Sequence, residues 1–339
     1  MTSPTPRTKP ALLRLADRIR IDRYLLLIVL MVVLASLLPA RGASAVAWGW
    51  ATKIAIGLVF FLHGARLSRE AVIGGLTHWR LHLVVLGSTF VLFPLLCLAA
   101  AALPAAITPP ALAGGIIFLG CLPSTIQSSI GFTVIARGDV PAAVASASAS
   151  NLIGIFLTPL LVSVLLHAQG LKISGDQAWA IVLQLLAPFL AGQVLRRWIG
   201  AWVGRNASWL SKIDRGSILL VVYTAFSGAV VEGVWSKVGP LDLFRLLALC
   251  GVILAAVLAA TTLAARALRF TKEDEIAIVF CGSKKSLASG APMAGVLFPA
   301  AQAGIAMLPL MIFHQIQLMA CAVIAQRYAK RPDTEAASR

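Results

Sequence analysis

The chain has 339 residues, of which 59% are hydrophobic and 12% charged, at a mean hydropathy of +0.89. An ordinary soluble domain carries about 25% charged residues, so too little polar surface is left here to cover the apolar surface; a soluble enzyme is nearly excluded, and so is a disordered chain. The formal net charge of +16 sorts by loop, as membrane topology requires, and needs no nucleic acid to explain it.

In chain order, residues 1–23 carry six Lys/Arg. The apolar run that follows lacks a small-residue cleavage site, so this stretch reads as a basic cytoplasmic tail rather than a cleavable signal. Ten apolar runs come next, over 24–40, 46–63, 81–103, 111–136, 140–167, 177–195, 215–235, 241–265, 273–297 and 303–326. Their lengths suit membrane-spanning helices of about 20 residues. No β alternation survives over them, which leaves helices as the structure that satisfies its own backbone in lipid. The reading is an all-α integral membrane protein: a first five-helix repeat over 24–167, a second over 177–326 and a cytoplasmic tail over 327–339.

The loops on one side hold 22 Lys/Arg and those on the other hold three, Arg41, Lys172 and Lys237. That split puts both termini in the cytoplasm of a multi-pass protein of the inner (plasma) membrane. Five spans per half invert the second half relative to the first, an architecture of secondary transporters. Gly120-Cys121-Leu122-Pro123-Ser124-Thr125 also lines up with Phe280-Cys281-Gly282-Ser283-Lys284-Lys285, and Ser129 with Ser289. The five cysteines all lie in apolar runs and read as small buried residues.

Polar residues concentrate in the fourth and ninth spans. In the fourth, Pro123 is followed by Ser124, Thr125, Gln127, Ser128 and Ser129. The proline removes a backbone donor and the hydroxyls offer alternative partners, so the helix is expected to unwind near mid-bilayer, where irregular backbone is tolerated only inside protein or beside a cavity. An ordinary proline kink is the alternative. In the ninth, Lys284 and Lys285 sit about 12 residues from either span end, too deep for both to snorkel, with Ser286 following. Adjacent helical positions differ by about 100°, so one lysine is expected to serve structure and the other ligand; the alternative is a purely structural lysine paired with the carbonyl ends of broken helices. Asn151 in the fifth span and His314 in the tenth complete the candidate site. His314 is a possible proton relay, whereas Ser146 and Ser150 read as close-packing residues. His78, Trp79, Arg80 and His82 read as an interface anchor.

These residues resemble those of the bile acid:sodium symporter superfamily. The resemblance rests on Cys121-Leu-Pro-Ser-Thr-Ile-Gln-Ser-Ser129, Ala136-Arg-Gly-Asp139, Ser150-Asn151, Leu157-Thr-Pro159, Phe60-Phe-Leu-His-Gly64 and the run Phe280 to Gly290. It is strongest to the divergent bacterial branch related to the seventh member of the solute carrier 10 group. The resemblance implies ten helices as two inverted five-helix repeats, with helices 4 and 9 unwound and crossing near the midplane. It implies a core of helices 3–5 and 8–10 moving against a panel of helices 1, 2, 6 and 7, with sodium bound beside the crossing.

The sodium ligands of the coupled relatives, however, fall here on Thr89, Ala143, Ala147, Phe280 and Lys284. Ser128-Ser129 is the nearest match to their Ser-Asn pair, so sodium near these two serines stays open. An ammonium nearby repels sodium. Lys284 or Lys285 is therefore expected to act as a tethered cation, with the coupling ion, H+ or Na+, unassigned. The expected function is a secondary transporter of a small organic anion. The alternatives are a non-transporting membrane regulator with a transporter fold and an intramembrane hydrolase pairing Ser128 or Ser129 with Lys284. No nucleotide loop or metal-ligand spacing is present, and no cofactor is expected.

Overall fold

Apolar residues that bury their backbone groups in lipid are driven into helices, and the chain follows. A computed structural model describes residues 23–66, 78–168, 175–233 and 238–331. Among the described residues there is no strand. The helices are α1 (Arg23–Leu37), α2 (Gly42–Arg66), α3 (Trp79–Ala101), α4 (Pro110–Cys121), α5 (Gln127–Ile135), α6 (Val140–Ala168), α7 (Gly175–Arg205), α8 (Ala207–Val231), α9 (Pro240–Ala267), α10 (Lys272–Gly282), α11 (Leu287–Leu297) and α12 (Ala300–Ala329). Among the described residues, six of these are long and apolar enough to cross a membrane: α2, α3, α6, α8, α9 and α12. The tails 1–22 and 332–339, and the loop residues Arg69, Lys172 and Lys237, lie outside the described residues.

The fourth and ninth apolar runs are each broken in two. Residues 122–126 separate α4 from α5, and 283–286 separate α10 from α11. Pro123 accounts for the first break. At the second, Ser286 caps α11 by accepting the Ser289 N–H at 3.1 Å.

A third irregularity lies inside α3, where Ser88–Leu92 forms a π-turn. The Phe93 N–H reaches back to the Ser88 carbonyl, five residues away. The next residue is Pro94, which has no N–H to offer the Thr89 carbonyl. Thr89 therefore presents a bare backbone oxygen to the protein interior.

Two expectations change. The seventh run does not begin a helix at 215: α7 continues to Arg205 and α8 starts at Ala207, with Asn206 alone between them. Hydropathy marks where lipid ends, not where helix ends; Arg and Trp are adequate helix formers and suit the interface. Trp198, Trp202 and Trp209 are all exposed along this extension. His82 is not an interface anchor. It is buried, with Nδ1 2.6 Å from the Ser146 hydroxyl, because it falls on the inward face of α3 while Trp79 faces out.

The Ala136–Asp139 run is a helix-ending turn. Arg137 adopts φ +58° and the Gly138 N–H bonds the Thr133 carbonyl at 2.9 Å. Asp139 then caps α6 by accepting the Ala142 N–H at 2.9 Å. Arg331 at the end of α12 ties this turn down through the Ala136 and Arg137 carbonyls.

The helices share one core, and α8 packs against α12 as well as α1 and α2. α2 lies along α7, and α1 along α8. The interior holds Phe93, Phe118, Phe280 and Phe313, all fully buried. All five cysteines are buried.

Candidate functional site

The two breaks meet. The Ser286 N–H donates to the Pro123 carbonyl at 2.9 Å, joining one interrupted segment to the other. Each break ends a helix, and a helix end leaves carbonyls without intrahelical donors. In lipid these must be satisfied from within the protein.

At the end of α10 the donors are hydroxyls. Ser129 Oγ donates to the Phe280 carbonyl at 2.9 Å, Ser124 Oγ to Cys281 at 2.6 Å and Ser88 Oγ to Gly282 at 2.8 Å. At the end of α4 the main donor is Lys285. Its Nζ donates to the carbonyls of Gly120 (2.8 Å), Leu122 (2.6 Å) and Thr89 (2.8 Å), the last being the oxygen freed by the π-turn and Pro94. Thr158 Oγ1 covers the remaining Cys121 carbonyl at 2.8 Å. All three ammonium protons are thus used, and the Phe93 ring lies 4.1 Å from Nζ.

Lys284 turns the other way, into the space between α5 and α10. Its Nζ donates to the Ser128 carbonyl at 2.9 Å and stacks on Phe132 at 4.1 Å. Both lysines are completely buried, and neither borders a cavity described here.

Gln317 on α12 fixes the backbone of Lys285 from the far side. Its Oε1 accepts the Lys285 N–H at 2.8 Å and its Nε2 donates to the Lys285 carbonyl at 2.9 Å. His314 Nδ1 lies 2.8 Å from the same Nε2 and 3.4 Å from the Lys285 carbonyl. Gln317→Met should leave two buried backbone groups unpaired and cost roughly 2–4 kcal/mol, read as a fall in the thermal unfolding midpoint of the detergent-solubilised protein.

Asn151 on α6 donates to the carbonyls of Ser124 (2.7 Å) and Ala147 (2.9 Å) and accepts from Ser289 Oγ at 2.8 Å. Unlike the lysines it also borders open space. One cavity, of about 330 Å³, is bordered by Thr125, Gln127, Ser128, Asn151, Ser286, Ser289 and His314, together with Arg66, Asp214 and Arg215. A second, of about 280 Å³, is walled mainly by Phe60, Leu152, Ile155, Phe189 and Met293, and shares His63, Arg66, Asn151 and Ser289 with the first.

The structure therefore divides the candidates named from sequence. Ser124, Ser129, Lys284 and Lys285 are caps inside the protein, and Thr89 contributes its carbonyl while its hydroxyl bonds Val85 of its own helix. Thr125, Gln127, Ser128, Asn151, Ser286 and His314 line the cavity. Arg66 and Asp214 join the cavity wall from outside the sequence candidates, and Gln317, a polar neighbour of His314 in the tenth span, holds the Lys285 backbone. The first two looked like ordinary loop charges, and only the tertiary fold brings them together.

The profile of the SBF-like CPA transporter family, the bile acid:sodium symporter type, matches residues 22–330. The chain belongs to that family. Within it, the chain is 59% identical over 318 residues to an uncharacterised protein, PA2026, of Pseudomonas aeruginosa, covering 94% of this chain and 96% of the relative. It is 53% identical over 313 residues to a protein of Escherichia coli (strain K12) named "Putative symporter YfeH", covering 92% and 94%. It is 26% identical over 326 residues to "Sodium/bile acid cotransporter 7" of Rattus norvegicus, again covering 92% and 94%. Family membership and the apolar helices make this a membrane-embedded protein of a transporter family.

Proposed function

We propose that the protein is a secondary active transporter that moves a small organic anion across the inner membrane by alternating access, with Lys285 as a tethered cation where sodium-coupled relatives bind an ion. The reading has ten spans as two inverted five-helix repeats, the α4–α5 and α10–α11 breaks crossing near the midplane. α1, α2, α7 and α8 form the panel and the remaining helices the core. Both termini lie in the cytoplasm, on the strength of the basic loops.

The observation that carries this reading is the saturation of Lys285 by three backbone carbonyls. Such oxygens, drawn from a bulged helix and a broken one, are what a hard cation would otherwise take. A second cation placed among them would be repelled. Lys284 takes the carbonyl of Ser128 and not its hydroxyl, which itself donates to Thr125 Oγ1 at 3.3 Å. That arrangement is a cap and gives no support to a serine–lysine hydrolase. With sodium displaced, the proton is the coupling ion that fits, and His314, at the cavity edge, is the group placed to carry it.

The test is the unfolding temperature of the solubilised protein against sodium, at ionic strength held fixed with choline and at three pH values. A ligand that binds only the folded state raises stability by mass action. No sodium-specific rise is expected. A rise with sodium but not choline overturns the tethered-cation reading. In proteoliposomes, organic-anion uptake should persist when choline replaces sodium; absence of any flux would favour the non-transporting reading.

A further inference from the structure

Arg66 is the last residue of α2 and borders the two cavities at the broken helices as well as a third, of about 710 Å³, lined by Arg196 and Arg197. Its Nη1 is paired with Asp214 Oδ2 on α8. Its Nε and Nη2 are buried and have no partner among the described residues, and the same holds for Asp214 Oδ1. The unused atoms form one edge of the guanidinium. Two parallel N–H bonds leave that edge, in the fork that matches the two oxygens of a carboxylate. Buried charged donors are rarely left unmade, because the desolvation cost has no return.

The surroundings specify what would complete them. The cavity of about 330 Å³ has Arg66, Arg215 and Asp214 on its wall, which leaves one net positive charge, the complement of a single acid group. The adjoining cavity is walled by Phe60, Leu152, Ile155, Phe189 and Met293 and opens onto the same arginine. Each volume is of the order of a small-molecule site, about 300 Å³. The paired lysines, by contrast, have their ammonium groups committed to carbonyls and rings.

We propose that Arg66 is the residue that binds the acid group of the transported anion, through its guanidinium, while the anion's apolar body lies between Phe60, Leu152 and Phe189. Asp214 holds the guanidinium in place and competes with the anion for it. The proposal rests on the transporter reading above for the role of the ligand, but the site itself is testable by binding alone.

The experiment uses the full chain in detergent and a series of n-alkanoates from hexanoate to decanoate, each beside its neutral amide, with affinity read by calorimetry. The expected result is that the acids bind more tightly than the amides. Arg66→Gln should weaken acid binding by about tenfold or more, one lost charge-assisted pair, and leave amide binding unchanged. Arg66→Lys should fall between, having charge without the fork. Asp214→Asn should strengthen acid binding, an effect opposite in sign to any loss of folding.

Arg196→Gln serves as the control. Arg196 and Arg197 line the third cavity, which Arg66 also borders but Phe60, Leu152 and Phe189 do not, and this variant should bind the acids as wild type does. The proposal is overturned if no acid binds better than its amide, if Arg66→Gln weakens acid and amide alike, or if Arg196→Gln matches Arg66→Gln. Acid-dependent binding without flux in proteoliposomes would remove the transport reading and keep the site. Flux indifferent to Arg66 would remove the site and keep the transport reading.

Discussion

Lys285→Met is expected to cost about 4 kcal/mol or more, a large share of the 5–15 kcal/mol that separates folded from unfolded states in typical proteins. Met fills much the same volume but donates nothing. Three carbonyls, of Thr89, Gly120 and Leu122, would lose the Lys285 ammonium as donor together, at about 1–3 kcal/mol each. Relief from desolvating the ammonium offsets part of this, which is why the figure stays below the sum. Lys284→Met removes one carbonyl contact and a ring stack and should cost about 1–3 kcal/mol. Lys285→Arg should not rescue, since the site is completely buried and the ammonium is compact while the guanidinium is broad. Thermal unfolding of the two Met variants in the same detergent decides the matter: equal losses would mean that Lys285 is not what ties the broken helices to α3.

The contrast between the two lysines marks how far the sequence could be read. Hydropathy located the apolar runs, and Pro123 and the buried lysine pair marked where two of them break. Loop charge explained the net +16 without nucleic acid. The capping partners were not legible, for a physical reason. Thr89 becomes an acceptor only because a π-turn shifts the hydrogen bonds of α3 by one residue and Pro94 then lacks the matching N–H. Neither fact is visible in hydropathy, and the lysine that answers lies 196 residues away. Arg66 and Asp214 were hidden differently. Each reads as a basic or acidic residue at a span end, and their pairing across 148 residues depends on α2 and α8 lying side by side. Between α7 and α8 interfacial Trp and Arg continue a helix that composition alone would stop.

The packing of α2 along α7 is where the smallest substitution should have a large effect. On α2 a Cβ at Gly64 would lie 2.0 Å from the Phe189 carbonyl oxygen, and on α7 a Cβ at Gly192 would lie 2.0 Å from that of Phe61. The contact is reciprocal, each helix laying a glycine against the other's backbone three residues from its own phenylalanine. Small residues let membrane helices approach this closely, and packing is what holds them there, since lipid gives no hydrophobic drive to associate. Because the obstructing atoms are backbone, no side-chain rotation relieves the clash and the helices must separate. Gly64→Ala or Gly192→Ala is therefore expected to cost about 3 kcal/mol or more, the upper end for overpacking. Gly57→Ala, on the same helix but with nothing within 4 Å of its Cβ, should be neutral or gain up to about 1 kcal/mol from helix propensity. The double variant Gly64→Ala/Gly192→Ala should cost less than the two singles added, because the first substitution already parts the helices for the second. Separation would also displace Arg66, two residues beyond Gly64, so acid binding should weaken in the Gly64 variant at temperatures where it is still folded. Additive losses, or full acid affinity in that variant, would mean that α2 and α7 respond to each substitution locally and do not move as one packed unit.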